Sequence, residues 1–397
     1  MAKRVSKPSP SAKPLAIFLA DAHADEGTWA SYPDLRGDSF WALEQVHQHA
    51  ATHRVPWIVG AGDMLNRKAN EAAVAGFIRR WMESLHADGV SLAFSQGQHD
   101  HQKIPWLCEL SDQAIWLDAK PGAVLEIEGC PIQGFDWTPA DRLAIRLREE
   151  VQPNTAILFL HQVCDAFMGD VAMPELNFSQ VPYVSLLGVG DYHEHRVLKT
   201  LGANGQSLTV LSPGSTCMQK INEPPIKHFF VIYDDLSFTS QPFLSRPFLD
   251  IPSILDTDGL EDFEATIGNQ LDEVRDSAAT AKLPESVRKP IVHVEFSLAV
   301  AGAHRRIMKA VGDRAHLFMP TTDPRRPTEA GAIKDEAARA RRHEIAAKGL
   351  LGCLDQDVDR KREPVLYSLL HDLFTTDDPD AVIREKRKDY DLEAKGA

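Results

Sequence analysis

The first half of the chain alternates short apolar runs with amphipathic stretches, and this alternation restricts the fold more than any other feature of the sequence. The apolar runs predict five buried strands, at residues 15–20, 57–61, 91–95, 156–160 and 184–189. The stretches from 38 to about 53 and from 70 to about 86 predict amphipathic helices, the first with Asp38 as its N-cap. Strands that alternate with helices indicate an α/β fold built in layers.

The remaining patterns divide the chain into segments. A hairpin about Glu128-Gly129 and strands at 208–211 and 228–233 complete a domain predicted to span residues 15–240. Pro242, Pro247 and Pro252 indicate a linker. A smaller α+β unit is expected at 241–325, with helices at 260–276 and about 303–311 and strands at 291–298 and 316–319. Residues 1–14 predict a flexible basic tail, and residues 326–397 predict a helical C-terminal segment.

Composition narrows the class of protein without identifying it. No apolar stretch approaches the roughly 20 residues that span a bilayer, so we expect no membrane segment. The five cysteines lie far apart with no CxxC pair, which is typical of reduced thiols in a cytoplasmic protein. The net charge of −14 argues against a protein that coats nucleic acid. A nuclease stays compatible with it, because a carboxylate-rich metal site adds negative charge.

Side chains of the types that bind metals follow each of the five predicted strands. They are Asp21 and His23; Asp63; Gln98, His99 and Asp100; His161; and Asp191 and His193. Because side chains at i and i+2 of a strand point the same way, Asp21 and His23 are expected to bind one ion together. The loops at the carboxyl ends of strands converge in an open α/β sheet, which predicts one shared site. Carboxylates, imidazoles and an amide without a thiolate suit Mn²⁺, Fe or Zn²⁺ better than Mg²⁺.

The order of these clusters resembles the calcineurin-like metallophosphoesterase superfamily, whose pattern is DxH, GD, GNH(D/E), H and GHxH. The resemblance spans roughly residues 15–235. Within the superfamily the chain is similar to the SbcD-type double-strand-break repair nucleases and their phage relatives. The segment LSPGST at 211–216 stands where those enzymes carry a Y-x-GS-type segment. The fold implied is a two-sheet sandwich flanked by helices, with a smaller α+β cap domain and a helical tail.

The resemblance implies two divalent metal ions that activate water for attack on phosphorus. Seven residues would hold them: Asp21, His23 and His193 the first ion, Gln98, His161 and Asp191 the second, and Asp63 both. Gln98 replaces the family's asparagine and Asp191 replaces the first histidine of GHxH. The added carboxylate favours Mn²⁺ over Zn²⁺. A second register, in which His193 and His195 form the last ligand pair, stays open.

Four further residues receive roles. The resemblance implies that His99 is a non-ligand acid that protonates the departing 3′ oxygen, and that Asp100 orients it. Arg67 is a candidate contact to substrate phosphate, and a solvated basic turn is the alternative interpretation. Arg196, beside the last cluster, is a similar candidate.

The function that the resemblance implies is hydrolysis of DNA phosphodiester bonds in repair or processing, as an exonuclease, with endonuclease activity as a further option. It further implies homodimerisation and an SbcC-type ATPase partner. Apolar residues at helical spacing in 366–374 are a candidate docking face for that partner, and packing against the cap domain of this chain is the alternative interpretation. Two alternatives remain: a phosphoesterase acting on a nucleotide, phosphoprotein or other small ester, and a catalytically weakened DNA-binding or scaffold subunit.

Overall fold

The computed structural model describes residues 8–27, 34–67, 71–168 and 175–322. Residues 1–7 of the predicted tail at 1–14 lie outside the described residues, and so does the predicted helical segment 326–397 with its candidate docking face. Those described form sixteen strands and nine α-helices. The strands are β1 Pro14–Leu19, β2 Trp57–Ala61, β3 Ser91–Ser95, β4 Ala114–Trp116, β5 Leu125–Ile127, β6 Cys130–Phe135, β7 Ile157–His161, β8 Leu186–Gly190, β9 Arg196–Leu201, β10 Ser207–Ser212, β11 His228–Tyr233, β12 Phe238–Pro242, β13 Phe248–Ile254, β14 Ile291–Ser297, β15 His316–Phe318 and β16 Thr321–Thr322. The helices are α1 Asp38–His53, α2 Ala72–Ala87, α3 Trp106–Leu110, α4 Ala140–Glu149, α5 Asp165–Met168, α6 Thr257–Asp276, α7 Ala278–Ala281, α8 Glu285–Arg288 and α9 Ala303–Val311.

Two six-stranded mixed sheets form the body of the fold. The first has the strand order β12-β11-β1-β2-β3-β4, and the second has the order β5-β6-β7-β8-β10-β9. Strands β1 to β4 run parallel, and so do β6, β7, β8 and β10. The carboxyl ends of these parallel strands therefore lie along one edge of each sheet, where ligand-bearing loops can meet.

The two sheets are stacked face to face and covered by helices. Phe18 of β1 packs against Phe159 of β7, with ring centroids 5.0 Å apart, inside a buried cluster that draws residues from both sheets. A second cluster joins the outer face of the first sheet to α1 and α2, and a third joins the outer face of the second sheet to α4. The α/β two-sheet sandwich flanked by helices is thus confirmed.

Residues 248–322 form a third, smaller sheet with helices. Strand β14 pairs in parallel with β13, β15 and β16, and α6 and α9 cover the sheet through a separate buried cluster. Helices and strands both occur here as predicted, but the strands are all parallel and alternate with the helices, so this part of the chain is α/β and not α+β. Among the described residues, no helix combines the length and the apolarity needed to cross a bilayer.

Two local predictions are wrong. Gly37, in the left-handed region with φ 83°, is the N-cap of α1, and Asp38 is the first helical residue. The carboxylate of Asp38 accepts hydrogen bonds from Arg246 instead of capping the helix. The predicted linker is also wrong, because β12 ends at Pro242 and β13 contains Pro252. Strand β13 is an edge strand whose register shifts between Ile251 and Ile254, and edges and bulges tolerate proline.

The hairpin prediction is confirmed in detail. Strands β5 and β6 pair antiparallel across Glu128 and Gly129. Both turn residues have positive φ, 48° and 81°, as a type I′ turn requires. The hairpin forms one edge of the second sheet.

Candidate metal centre

The loops that follow β1, β2, β3, β7 and β8 bring their ligand-type side chains together between the two sheets. Three groups have donor atoms that all lie within 4.8 Å of one another: Asp21 with His23 and His193, Asp21 with Asp63 and His161, and His23 with Asp63 and His99. Asp21 and Asp63 each belong to two groups. The arrangement is therefore one continuous cluster.

Distances within the cluster place one imidazole at its centre. His161 Nε2 lies 3.2 Å from Asp63 Oδ2, 3.8 Å from Asp191 Oδ1 and 3.9 Å from Asp21 Oδ1. The Gln98 amide reaches the same place, since its Nε2 donates to Asp191 Oδ1 at 2.6 Å. The side chains assigned to the second ion are thus neighbours.

The side chains assigned to the first ion also converge. His193 Nε2 lies 3.7 Å from Asp21 Oδ1, and His23 Nε2 lies 3.9 Å from the same oxygen. His23 Nε2 is 3.8 Å from Asp63 Oδ2, so Asp63 stands between the two halves of the cluster. The backbone N–H of Asp191 donates to both carboxylate oxygens of Asp21, which ties the two sheets together at this point.

Strand alternation does not explain why Asp21 and His23 converge, so that part of the sequence argument is wrong. Strand β1 ends at Leu19, and both residues have positive φ, 49° and 42°. Asp63 and Asp191 share this left-handed conformation, with φ 48° and 74°. Residues other than glycine adopt it rarely and at a cost of about 1–3 kcal/mol, and such residues concentrate at functional sites. Sharp left-handed turns after each strand aim these carboxylates at the cluster.

Two glycines leave the room that the cluster occupies. A Cβ atom on Gly97 would lie 2.0 Å from Asp63 Oδ1, and one on Gly62 would lie 2.2 Å from the His161 ring. Gly62 also has φ 78°. Any larger residue at either position would displace a ligand-type side chain.

Burial and mutual charge shift the pKa values of the cluster. Asp21, His23, Asp63 and His161 are all at most 3% exposed. Burial raises the pKa of Asp21 to about 6 and lowers that of His23 to about 3. Burial acts against both members of the Asp63–His161 pair, but their attraction prevails: the pKa of Asp63 falls to about 2, and that of His161 rises well above its usual value. Positive charge beside these buried carboxylates therefore stabilises their ionised form.

The donor atoms fit divalent cations. Both ring nitrogens of His23, Nε2 of His161 and Oε1 of Gln98 are buried and have no hydrogen-bond partner. Buried polar atoms are nearly always satisfied, so these atoms indicate a missing ligand, and two of them, Nε2 of His23 and Nε2 of His161, lie beside carboxylate oxygens. His161 Nδ1 lies 2.8 Å from the Ala61 carbonyl and donates to it, which leaves Nε2 as a metal-type donor. The residues present therefore suit two ions.

Asp100 does not orient the His99 side chain. Its carboxylate is buried and accepts hydrogen bonds from the backbone N–H groups of Gly97 and Leu65. The His99 ring is exposed, and its Nδ1 lies 3.2 Å from the Asn66 carbonyl. Asp100 thus fixes the loop that carries His99, whereas a backbone carbonyl orients the ring. Burial and nearby Asp63 raise the pKa of Asp100 to about 7.

The two candidate arginines lie outside the three donor groups. Arg67 donates through Nε and Nη2 to Oδ2 of the buried Asp25, which also accepts from the Asn66 amide. Arg196 donates to Glu194 Oε2, and its guanidinium lies 5.2 Å above the Tyr192 ring. Both are held by carboxylates of this chain, and phosphate contact by either remains a prediction.

The structure separates the two ligand registers. His195 packs its ring against His228 and Phe230, with centroids 4.4 and 4.7 Å apart, and its Nε2 lies 3.1 Å from Ser240 Oγ. It joins none of the donor groups, whereas His193 does. Asp191 and His193 are the pair that faces the cluster.

One residue that sequence reasoning missed touches a ligand directly. Glu223 Oε1 lies 2.7 Å from Nδ1 of His193. Glu223 lies in the irregular segment between β10 and β11, 30 residues after His193 in the sequence. No periodicity or motif marks it.

Metal binding is expected to release protons and to weaken as the pH falls. Asp21 has a pKa of about 6 in the metal-free protein, and the pKa values of His161 and His193 are raised, so these groups hold protons that a cation must displace. For each such group, apparent Mn²⁺ affinity should drop by about tenfold per pH unit once the pH lies below the pKa of that group, which for Asp21 means below about pH 6. Calorimetric titration in buffers of different ionisation enthalpy measures the release. Identical heats in all buffers would contradict it.

Comparisons with known proteins find likeness in structure alone. No family model matches the sequence, and no curated protein matches it. Among solved structures, an archaeal phosphodiesterase is 11% identical with a TM-score of 0.33, spanning 57% of this chain and 99% of its own. A protein of Thermus thermophilus is 12% identical with a TM-score of 0.39, spanning 58% and 99%. A dimetal phosphatase from Danio rerio is 12% identical with a TM-score of 0.34, spanning 58% and 96%.

Proposed function

We propose that this chain is a metal-dependent phosphoesterase that binds two divalent ions, preferentially Mn²⁺, and hydrolyses phosphodiester bonds in DNA. The observation that carries the proposal is the convergence of three aspartates on two imidazoles, those of His23 and His161, whose Nε2 atoms are buried and unpartnered. Two ions bound there would supply an activated water molecule and neutralise the phosphate. The abundance of carboxylate oxygen favours Mn²⁺ over softer ions.

The residues of this chain would bind the two metal ions and orient the proton donor. Asp63 lies between His23 and His161 and would help to hold both ions. His99 is exposed beside the cluster, and its Nδ1–H donates to the Asn66 carbonyl. With Nδ1–H donating to that carbonyl, a second proton on Nε2, as in the imidazolium, is the one that would pass to the leaving oxygen, and the ring would be left neutral.

DNA as the substrate is supported by the order of the ligand motifs and by the segment 211–216, which resemble SbcD-type nucleases. The third sheet follows the two-sheet body in the chain, as the cap domain does in those enzymes. Homodimerisation and an SbcC-type ATPase partner belong to the same proposal, and the predicted docking face at 366–374 lies outside the described residues.

The test uses the purified full chain, stripped with chelator and reloaded with Mn²⁺. Linear double-stranded and single-stranded DNA are compared with a chromogenic phosphodiester. We expect two ions per chain and DNA cleavage. Cleavage of the small ester without DNA would favour the small-substrate alternative, and fewer than two ions without hydrolysis would favour the scaffold alternative.

His99→Ala is expected to lower kcat by about 10²–10⁴-fold, because an acid at that position contributes this much to proton transfer. The variant should still bind two ions, as the proposal gives His99 no ligand role. His101→Ala is the matched control, since His101 is an exposed histidine two residues away and outside the donor groups. Loss of an ion in His99→Ala would show instead that His99 is a ligand.

A further inference from the structure

Glu223 is the centre of a hydrogen-bonded network behind His193. Its Oε1 accepts from His193 Nδ1 at 2.7 Å. Its other oxygen, Oε2, accepts from Lys227 Nζ at 2.8 Å, from the backbone N–H of Gln219 at 3.0 Å and from Ser215 Oγ at 3.2 Å. The two oxygens thus face different partners, and only Oε1 faces the ligand histidine.

Lys227 fixes the network from the opposite side. It is 2% exposed, and besides Glu223 its ammonium donates to Ser215 Oγ at 2.8 Å and to the His193 carbonyl at 3.1 Å. All three of its protons therefore have acceptors. A buried ammonium that is paired and fully hydrogen-bonded holds the Glu223 carboxylate ionised and in one orientation.

The irregular segment between β10 and β11, which carries Glu223, also makes hydrogen bonds to the backbone of two residues assigned to the first ion. The N–H of Ser215 donates to the His193 carbonyl at 3.3 Å, and the N–H of Thr216 donates to the Asp21 carbonyl at 3.3 Å. Gly214, with φ 77°, passes so close that a Cβ atom would lie 2.7 Å from the His193 carbonyl oxygen. The contacts of this segment thus converge on two of the residues assigned to the first ion, Asp21 and His193.

We propose that Glu223 is a positioning residue that fixes His193 with its proton on Nδ1, so that Nε2 is presented to the first metal ion. This inference rests on the proposed function, since it takes the cluster to be a metal centre. A carboxylate behind a ligand histidine raises the basicity of the metal-binding nitrogen as well as orienting the ring. The second-ion histidine, His161, has only the neutral carbonyl of Ala61 in this position. Glu223 therefore strengthens the first ion site selectively.

The isosteric substitution Glu223→Gln reverses the hydrogen bond. Lys227, Gln219 and Ser215 all donate toward the Oε2 position, so the amide oxygen of glutamine turns to them. Its NH₂ group then donates to His193 Nδ1, which forces the ring proton onto Nε2, the atom that must bind the ion. We expect one of the two ions to bind about 10–100-fold more weakly and the other to be unaffected.

The measurement is Mn²⁺ titration of the full chain by calorimetry and electron paramagnetic resonance. Glu194→Gln is the matched control, because Glu194 adjoins His193 in sequence but pairs with Arg196 and Tyr192. It should bind both ions as the wild type does. Equal affinity of Glu223→Gln and the wild type for both ions would overturn the inference while leaving the proposed function intact. A wild type that binds no pair of ions would overturn the proposed function itself.

A second measurement needs no substitution at Glu223 and so does not depend on the variant folding. In Zn²⁺-loaded, ¹⁵N-histidine-labelled protein, the His193 resonances are assigned by comparison with His193→Asn. We expect a protonated Nδ1 that exchanges slowly with solvent and a metal-shifted Nε2. A metal-shifted Nδ1, or a proton on Nε2, would overturn the inference.

Discussion

Asp63→Asn is expected to reduce phosphodiester hydrolysis by about 10³-fold or more and to lower the number of bound ions below two. Asp63 is the carboxylate common to both halves of the cluster, with Oδ2 lying 3.2 Å from His161 Nε2 and 3.8 Å from His23 Nε2. A metal ion contributes several kcal/mol to the stabilisation of a phosphoryl transition state, and about 4 kcal/mol corresponds to 10³-fold in rate.

The geometry of the amide explains why so small a change is expected to have so large an effect. Asp63 Oδ1 already accepts a hydrogen bond from the backbone N–H of His99 at 2.9 Å. An asparagine would keep its oxygen in that bond, and its NH₂ group would replace Oδ2, which faces the imidazoles. A hydrogen-bond donor would then stand where both ions need an anionic oxygen.

The backbone should tolerate this substitution. Residue 63 has φ 48°, a left-handed conformation that asparagine adopts more readily than most residues. Loss of activity is thus expected in a folded protein, to be checked by circular dichroism alongside metal analysis. Asp88→Asn is the control, because Asp88 is a surface aspartate paired with a histidine, His47, outside the cluster. Two tightly bound ions and near-normal turnover in Asp63→Asn would contradict the bridging role.

The interior strands could be predicted from the sequence because burial on both faces requires a short run of apolar residues. Strands β2 and β3 match the predicted runs at 57–61 and 91–95, since parallel strands covered on both faces consist of uninterrupted apolar residues. Strand β9, Arg196–Leu201, escaped prediction because it is an edge strand with mostly exposed side chains. Strand β13 escaped because its prolines resemble a linker signal, and only pairing with β14 reveals it.

In the candidate site, the ligand-type residues could be predicted from the sequence, whereas the groups that orient them could not. The ligand-type residues follow buried strands, so their positions at strand ends could be predicted from the sequence. The convergence of Asp63 and His161, 98 residues apart, also requires the two sheets to stack, because β2 and β7 belong to different sheets. The groups that orient these ligands cannot be recognised by a position directly after a buried apolar strand. Ala61 and Asn66 act through backbone carbonyls, which any residue carries, and Glu223 lies in an irregular segment. Hydrogen bonds of this kind depend on tertiary packing, which a single sequence does not encode in any local pattern.

Arg246→Met is expected to lower the free energy of unfolding by about 3–5 kcal/mol, the usual effect of breaking a buried ion pair from one side. The guanidinium is buried and makes a bidentate pair with Asp38 at the start of α1, at 2.9 and 2.8 Å. It also donates to the carbonyls of Arg36, Ser286 and Lys289. One side chain thereby joins the two-sheet body to the segment that precedes β14.

The loss should come chiefly from what the substitution leaves behind. Methionine fills much of the space, but the Asp38 carboxylate stays buried without its counter-ion, and three carbonyls lose their donor. Asp38→Asn in the Arg246→Met background should therefore recover part of the stability, and the two effects should be non-additive by about 0.5–3 kcal/mol. Urea unfolding of the four proteins measures this coupling. Arg275→Met, which breaks an exposed pair with Asp272, is the control and should have a much smaller effect because solvent screens that pair. Additive effects at positions 38 and 246 would mean that the buried pair contributes nothing beyond packing.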